Sequence, residues 1–290
     1  MNISFNWSKC LLVASRIIGF LVFWIAIVAL ERIEGPGFLE DNVALRRMWW
    51  EIVPLISVLL ATLIFTVYID KFKFEKSTST DIFSSITLGV VFGICWIGTP
   101  IALLYCTGYL SFGEIISVKH LHVWIIACIF NVIMQNYLVK GYIFHLLKHK
   151  YNVLTAIVVT SLIFTLMHRG AFEAGALAVS NVLTMSVFTT MLLIYTKGLL
   201  APIIAHSIWN TTGFLLGLIS MADFPAVSSC TINGSKLISG GVYKLEGSLI
   251  VFFVNIVCIL LLYKLIIKKT QKPPLFIEEM PLTTLSKGGL

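Results

Sequence analysis

The chain has 290 residues, of which 58% are hydrophobic and only 12% charged, so the mixed Lys, Arg, Asp and Glu coat of a soluble globule cannot be assembled from it. Its 21 basic residues outnumber 14 acidic ones, an excess suited to cytoplasmic loops facing anionic lipid. No basic stripe interleaved with aromatics is present, which argues against a nucleic-acid partner.

An all-α integral membrane protein in a lipid bilayer follows, each crossing needing roughly 20 apolar residues for a hydrocarbon core about 30 Å thick. Lys9 precedes an apolar run over 11–30. That run is too long for a typical cleaved signal region and lacks a small-residue cleavage site, so it is expected to be a retained span. Further runs at 50–69, 83–105, 121–147, 153–168, 174–196, 199–220 and 248–267 predict a bundle of about eight transmembrane helices. Gln135, Asn136 and Lys140 interrupt the fourth run, and the fifth is short. Trp49, Trp50 and Trp124 open the second and fourth runs, as interfacial anchors or as packing residues. Gly240 and Gly241 mark a turn before the last span, where glycine relieves backbone strain. No internal repeat or heptad pattern is found. The expected organisation is a three-span region over 1–120, a motif-bearing core over 121–215, a loop and last helix over 216–267, and a flexible cytoplasmic tail over 268–290.

Placing the N-terminus inside puts Lys9, Lys71, Lys73, Lys76, Lys148, Lys150, Lys197 and Lys264 in inside segments. The opposite loops dilute Arg32, Arg46, Arg47, Lys119 and Arg169 with Glu31, Glu34, Glu40, Asp41, Glu173 and Glu246. This bias predicts a multi-pass cell-membrane protein with both termini in the cytoplasm. The six cysteines, at 10, 95, 106, 128, 230 and 258, form no close CxxC pair, so neither a disulfide framework nor a zinc knuckle is indicated.

Polar side chains inside spans are expensive, which makes each one a functional candidate. Three clusters stand out: Gln135, Asn136 and Lys140 in the fourth run, His168 at the end of the fifth, and His206 with Asn210 in the seventh. Asn136 and Lys140 are four apart and share a helix face, as do His206 and Asn210. Gln135, adjacent to Asn136, is expected to line the same cavity from another side. Counted from the cytoplasmic ends, His206 lies roughly 10 Å deep, Gln135 roughly 18 Å and His168 roughly 22 Å, so they share a depth only if helices tilt or fray. The alternatives are interhelical hydrogen bonding by the amides, Lys140 snorkelling to the headgroups, and a water-exposed His168.

In order and spacing, Phe130 to Phe214 resembles the CAAX-protease and bacteriocin-processing (CPBP, or Abi) family of intramembrane proteases, which includes the type II CAAX prenyl endopeptidases. Members carry EExxxRG, then FxxxH, then HxxxN after a run like TGSLWAPILAH; this chain has QNYLVKG, FTLMH and TKGLLAPIIAHSIWN. SGGVYKLEGSL before the last span is similar to bacterial members. The resemblance implies an eight-helix fold with a conical cavity open to the cytoplasm. It implies a first glutamate that activates water with the first histidine, and a later His and Asn that steady the oxyanion. An older assignment makes these residues metal ligands. By position, Gln135 replaces the first glutamate, Asn136 the second and Lys140 the arginine, whereas His168, His206 and Asn210 match.

A neutral amide does not accept a proton near pH 7, so Gln135 forfeits a contribution of about 10²–10⁴-fold. Amides are also weak zinc ligands, which makes zinc an unexpected cofactor with Gln135 and Asn136 in place. The leading expectation is a catalytically degenerate homologue that binds a membrane protein or peptide as regulator, adaptor or immunity factor. One rival is an active endopeptidase with His168 as base; another is a small-solute transporter, against which the lack of repeat symmetry counts.

Overall fold

In lipid every backbone N–H and C=O must be satisfied within its own segment, and each apolar run is indeed helical. The computed structural model describes residues 7–31, 37–39, 41–72, 79–221 and 223–270. Within them run α1 (Trp7–Glu31), α2 (Val43–Leu63, prolonged by a π turn over Ile64–Ile69), α3 (Ser79–Cys106), β1 (Leu110–Ser111), α4 (Leu121–Asn136), a π turn (Tyr137–Gly141) and α5 (Tyr142–Lys150). There follow α6 (Val153–Leu166), α7 (Arg169–Ala174), α8 (Ala176–Thr196), α9 (Leu200–Leu215), β2 (Thr231–Ile232), α10 (Lys236–Ser239), a 3-10 segment (Gly241–Gly247) and α11 (Leu249–Thr270). Of the tail expected from Lys268, residues 268–270 continue α11, and the remainder lies outside the described residues.

Among the described residues six helical stretches are long and apolar enough to cross a membrane: Trp7–Leu30, Val43–Ile69, Asp81–Cys106, Leu121–Lys150, Ala176–Thr196 and Gly241–Lys269. The protein is thus an all-α multi-pass membrane protein, but two expected spans are shorter than the apolar runs suggested. The fifth run ends as helix at Leu166, not at residue 168. The seventh ends at Leu215, where Gly217 takes a φ of +67° and the Leu218 amide returns to the Gly213 carbonyl at 2.8 Å.

Local chemistry explains the helix starts. Asn42 caps α2 by accepting from the amides of Ala44 and Leu45 at 3.1 and 3.2 Å, and Asn152 caps α6 by accepting from Thr155 at 2.8 Å. The Trp24 indole donates to the Pro54 carbonyl and the Ser57 hydroxyl donates to the Trp24 carbonyl, both at 3.1 Å, stapling α1 to α2. Trp124, one of the expected anchors, is 5% exposed and packs on Phe224, so it fills the core instead. Trp50 remains exposed beneath the Arg46 guanidinium. The turn expected at Gly240 and Gly241 is present, with φ of +76° and +60°. A Cβ at Gly240 would lie 1.5 Å from the Lys244 carbonyl oxygen, so only glycine fits.

The seam that positions the site is α3 against α9. Gly89 and Gly93 face Ala201 and Ala205 across it, small residues four apart on each helix that let the backbones approach closely. Next along α3, Trp96 stacks on Trp209 of α9 with centroids 4.2 Å apart. Both indoles spend their N–H on buried acceptors: Trp96 donates to Asn255 Oδ1 at 2.7 Å and Trp209 to Glu246 Oε1 at 3.0 Å. Asn181 of α8 donates to the carbonyls of Glu246 and Ser248, both at 2.8 Å, so α3, α8, α9 and α11 share one polar belt. A two-residue antiparallel ladder, Leu110 opposite Ile232, ties the loop after α3 to the loop before α10.

Candidate functional site

The polar interruption in the fourth run does not break the helix; it is absorbed by the π turn at Tyr137–Gly141 that joins α4 to α5. Such bulges recur where side chains must be re-aimed at functional sites. Asn136 and Lys140 are both 0% exposed. The Lys140 ammonium donates to Asn136 Oδ1 at 3.2 Å and lies 5.0 Å from the centre of the Phe164 ring. Snorkelling is thereby overturned: Lys140 points into the bundle because Asn136 and an aromatic face receive it. It makes no ion pair among the described residues.

These contacts fix the amide. With Oδ1 taken by a donor, Asn136 Nδ2 uses its two hydrogens on the Val132 carbonyl at 2.8 Å and on His206 Nδ1 at 3.2 Å. His206 must then accept at Nδ1 and carry its proton on Nε2. Its side chain is 1% exposed and also hydrogen-bonded to Asn210, the residue one turn further along α9. His168 shows the opposite tautomer. Its Nδ1 lies 2.7 Å from the Phe164 carbonyl oxygen, an obligate acceptor, so the proton sits on Nδ1 and the Nε2 lone pair is free. Phe164 ties the two together, its ring centroid 4.4 Å from that of His168 and 6.1 Å from that of His206. Five of the six candidates, Asn136, Lys140, His168, His206 and Asn210, therefore converge around Phe164.

Gln135 goes elsewhere. Its Nε2 donates to Asn131 Oδ1 at 2.7 Å, and Asn131 Nδ2 donates to Glu51 Oε2 of α2 at 2.8 Å. Glu51, 3% exposed, is held in turn by Arg47 one helical turn earlier, and Arg47 reaches Asp223 at 3.7 Å over the Phe224 ring. Expected on another side of α4 from Asn136, Gln135 leads through Asn131 to Glu51 of α2, since neighbouring positions on a helix diverge by about 100°. Its Oε1 is buried with no partner among the described residues.

Sequence reasoning missed Glu51, Asn131 and Glu246. Each had a signal. Glu51 lies one residue inside the second apolar run and four after Arg47; Asn131 lies four before Gln135; Glu246 was counted as a loop charge although the apolar span begins two residues later. Among the described residues no three His, Cys, Asp or Glu side chains gather as a metal-holding group.

Residues 117–212 match the family described as Type II CAAX prenyl endopeptidase Rce1-like. The matched stretch begins before α4 and ends within α9, so it contains all six candidate residues. No curated protein matches the chain.

Proposed function

We propose that this chain, whose residues 117–212 belong to the CAAX-protease family of membrane endopeptidases, retains the family's pocket without its glutamate-driven hydrolysis, and uses that pocket to bind a peptide or membrane-embedded partner as regulator, adaptor or immunity factor. The observation that carries this reading is Gln135: a neutral amide at the base position, with its N–H committed to Asn131. Such a group orients a water or a substrate but takes no proton from it, and general-base catalysis of about 10²–10⁴-fold is lost with it. The donor set also suits zinc poorly. His206 Nδ1 is occupied by Asn136, and the amides of Gln135 and Asn136 stand where the two carboxylates would be needed. Both termini are assigned to the cytoplasm on the strength of the basic segments.

What remains open is His168, half-buried, whose Nε2 lone pair is matched by the N–H of a peptide group.

A second reading is favoured by the His168 tautomer. A neutral imidazole with its lone pair free is chemically equipped to take a proton from water, and His206 and Asn210 would then hold the oxyanion. One experiment separates the two. Purified protein in lipid nanodiscs is offered a fluorescent prenylated CAAX peptide, and binding and cleavage are both followed. We expect binding without cleavage, weakened about 10-fold by His168→Ala, a loss of one charge-neutral hydrogen bond. Cleavage by the parent that disappears in His168→Ala would establish the second reading instead.

A further inference from the structure

The Glu51, Asn131 and Gln135 chain has a direction, and the direction has consequences. Glu51 is a buried carboxylate paired with Arg47, so both of its oxygens only accept. Asn131 must therefore turn its NH2 toward Glu51, at 2.8 Å, and its carbonyl oxygen toward Gln135. Gln135 must in turn offer its NH2, at 2.7 Å, which sends Oε1 the other way. The result is a buried carbonyl oxygen with no donor. An acceptor left so is unfavourable, and native structures rarely leave one without a reason.

We propose that Glu51 is a positioning residue for the site: acting through Asn131, it locks the Gln135 side chain with Oε1 free, as the acceptor for a backbone N–H of a bound peptide. The peptide half of this inference rests on the binding role proposed above; the positioning half rests on hydrogen-bond polarity alone. The same polarity makes position 135 intolerant of a carboxylate. Gln135→Glu would set an acceptor against Asn131 Oδ1 at the 2.7 Å now bridged by a hydrogen. Asn131 cannot turn over to donate to it while Glu51 claims the NH2. Glu51→Gln releases that claim, because an amide at position 51 can donate as well as accept.

The test is a double-mutant cycle on thermal unfolding of the full chain in detergent, without peptide. We expect Gln135→Glu to lower Tm by about 5 °C or more. Glu51→Gln is expected to lower it as well, since Arg47 loses the nearer of its two acidic partners. The double variant should lose much less Tm than the sum of the two single losses, and the coupling should vanish when the cycle is repeated in an Asn131→Leu background. Additive losses would overturn the proposal. So would coupling that persists without Asn131, which would be direct repulsion between two carboxylates. The ligand half is read by binding of the fluorescent prenylated CAAX peptide to the parent and to Gln135→Met, which keeps the bulk and removes the acceptor. A loss of about 10-fold is expected. Equal binding by the two would overturn the N–H contact while leaving the binding function intact, and a parent that bound no peptide would remove that function while the unfolding cycle still decided the role of Glu51.

Discussion

Asn136→Leu is expected to be among the most damaging single substitutions in the chain. Asn136 is fully buried and serves three neighbours at once, accepting from Lys140 and donating to the Val132 carbonyl and to His206 Nδ1. Leucine has nearly the same shape and none of these functions. It leaves the Lys140 amine facing only the Phe164 ring, and it leaves His206 Nδ1 without a donor. Stripping the partner from a buried ionisable group costs about 3–5 kcal/mol, equivalent here to a Tm loss of roughly 10 °C. The measurement is thermal unfolding in detergent. A specific rescue is expected: Lys140→Met in the same background removes the stranded amine and should recover more than half of the loss. Failure of that rescue would mean that Asn136 matters for reasons other than Lys140. Asn136→Asp should behave differently again, keeping an acceptor for Lys140 but offering His206 no N–H, so that His206 must change tautomer. The expected signature is near-parental stability with weakened peptide binding.

Part of this network is already visible in the sequence. Asn136 with Lys140, and His206 with Asn210, were legible because a spacing of four on any helix brings side chains together. The partner helix did not have to be known. The partner of Gln135 was not legible for the complementary reason. Its neighbour across the bundle depends on how α2 is rotated against α4, and nothing in the local pattern of either helix reports that angle. Glu51 is the residue that reveals it, and a glutamate one position inside an apolar run was the clue available.

The lengths of α6 and α9 failed for a different reason. Hydropathy does not distinguish apolar residues that face lipid from those that face protein. Leu218 and Ile219 are 1% and 4% exposed, so the apolar run continues past the helix end at Leu215 because the turn itself is buried. The early end of α6 has the same effect on His168: the helix stops at Leu166, and the imidazole turns back onto the Phe164 carbonyl.

Gly89→Val is the other change expected to be severe, and it acts on the site from the far side of α9. A Cβ at Gly89 would sit 2.8 Å from Ile204 Cβ and 2.9 Å from the Ala201 carbonyl oxygen. The second of these is backbone, so α9 has to move as a whole. A shift that restores ordinary contact displaces His206 and Asn210 relative to α4, and the 3.2 Å bond from Asn136 to His206 loses its geometry. The stacking of Trp96 on Trp209 opens with it, and with that the belt through Glu246 and Asn255. Overpacking of this kind costs about 3 kcal/mol, and helices in lipid have no hydrophobic term to offset it, since association there depends on close packing. The same helix supplies the control. Gly98 has nothing within 4 Å of its Cβ position, so Gly98→Val should leave both unfolding and peptide binding near the parental values. Equal effects from Gly89→Val and Gly98→Val would mean that valine harms α3 for helix-intrinsic reasons and that the seam does not set the position of His206. A loss confined to Gly89→Val would mean that two glycines and two alanines on facing helices hold the histidine in register with a lysine and an asparagine on a third.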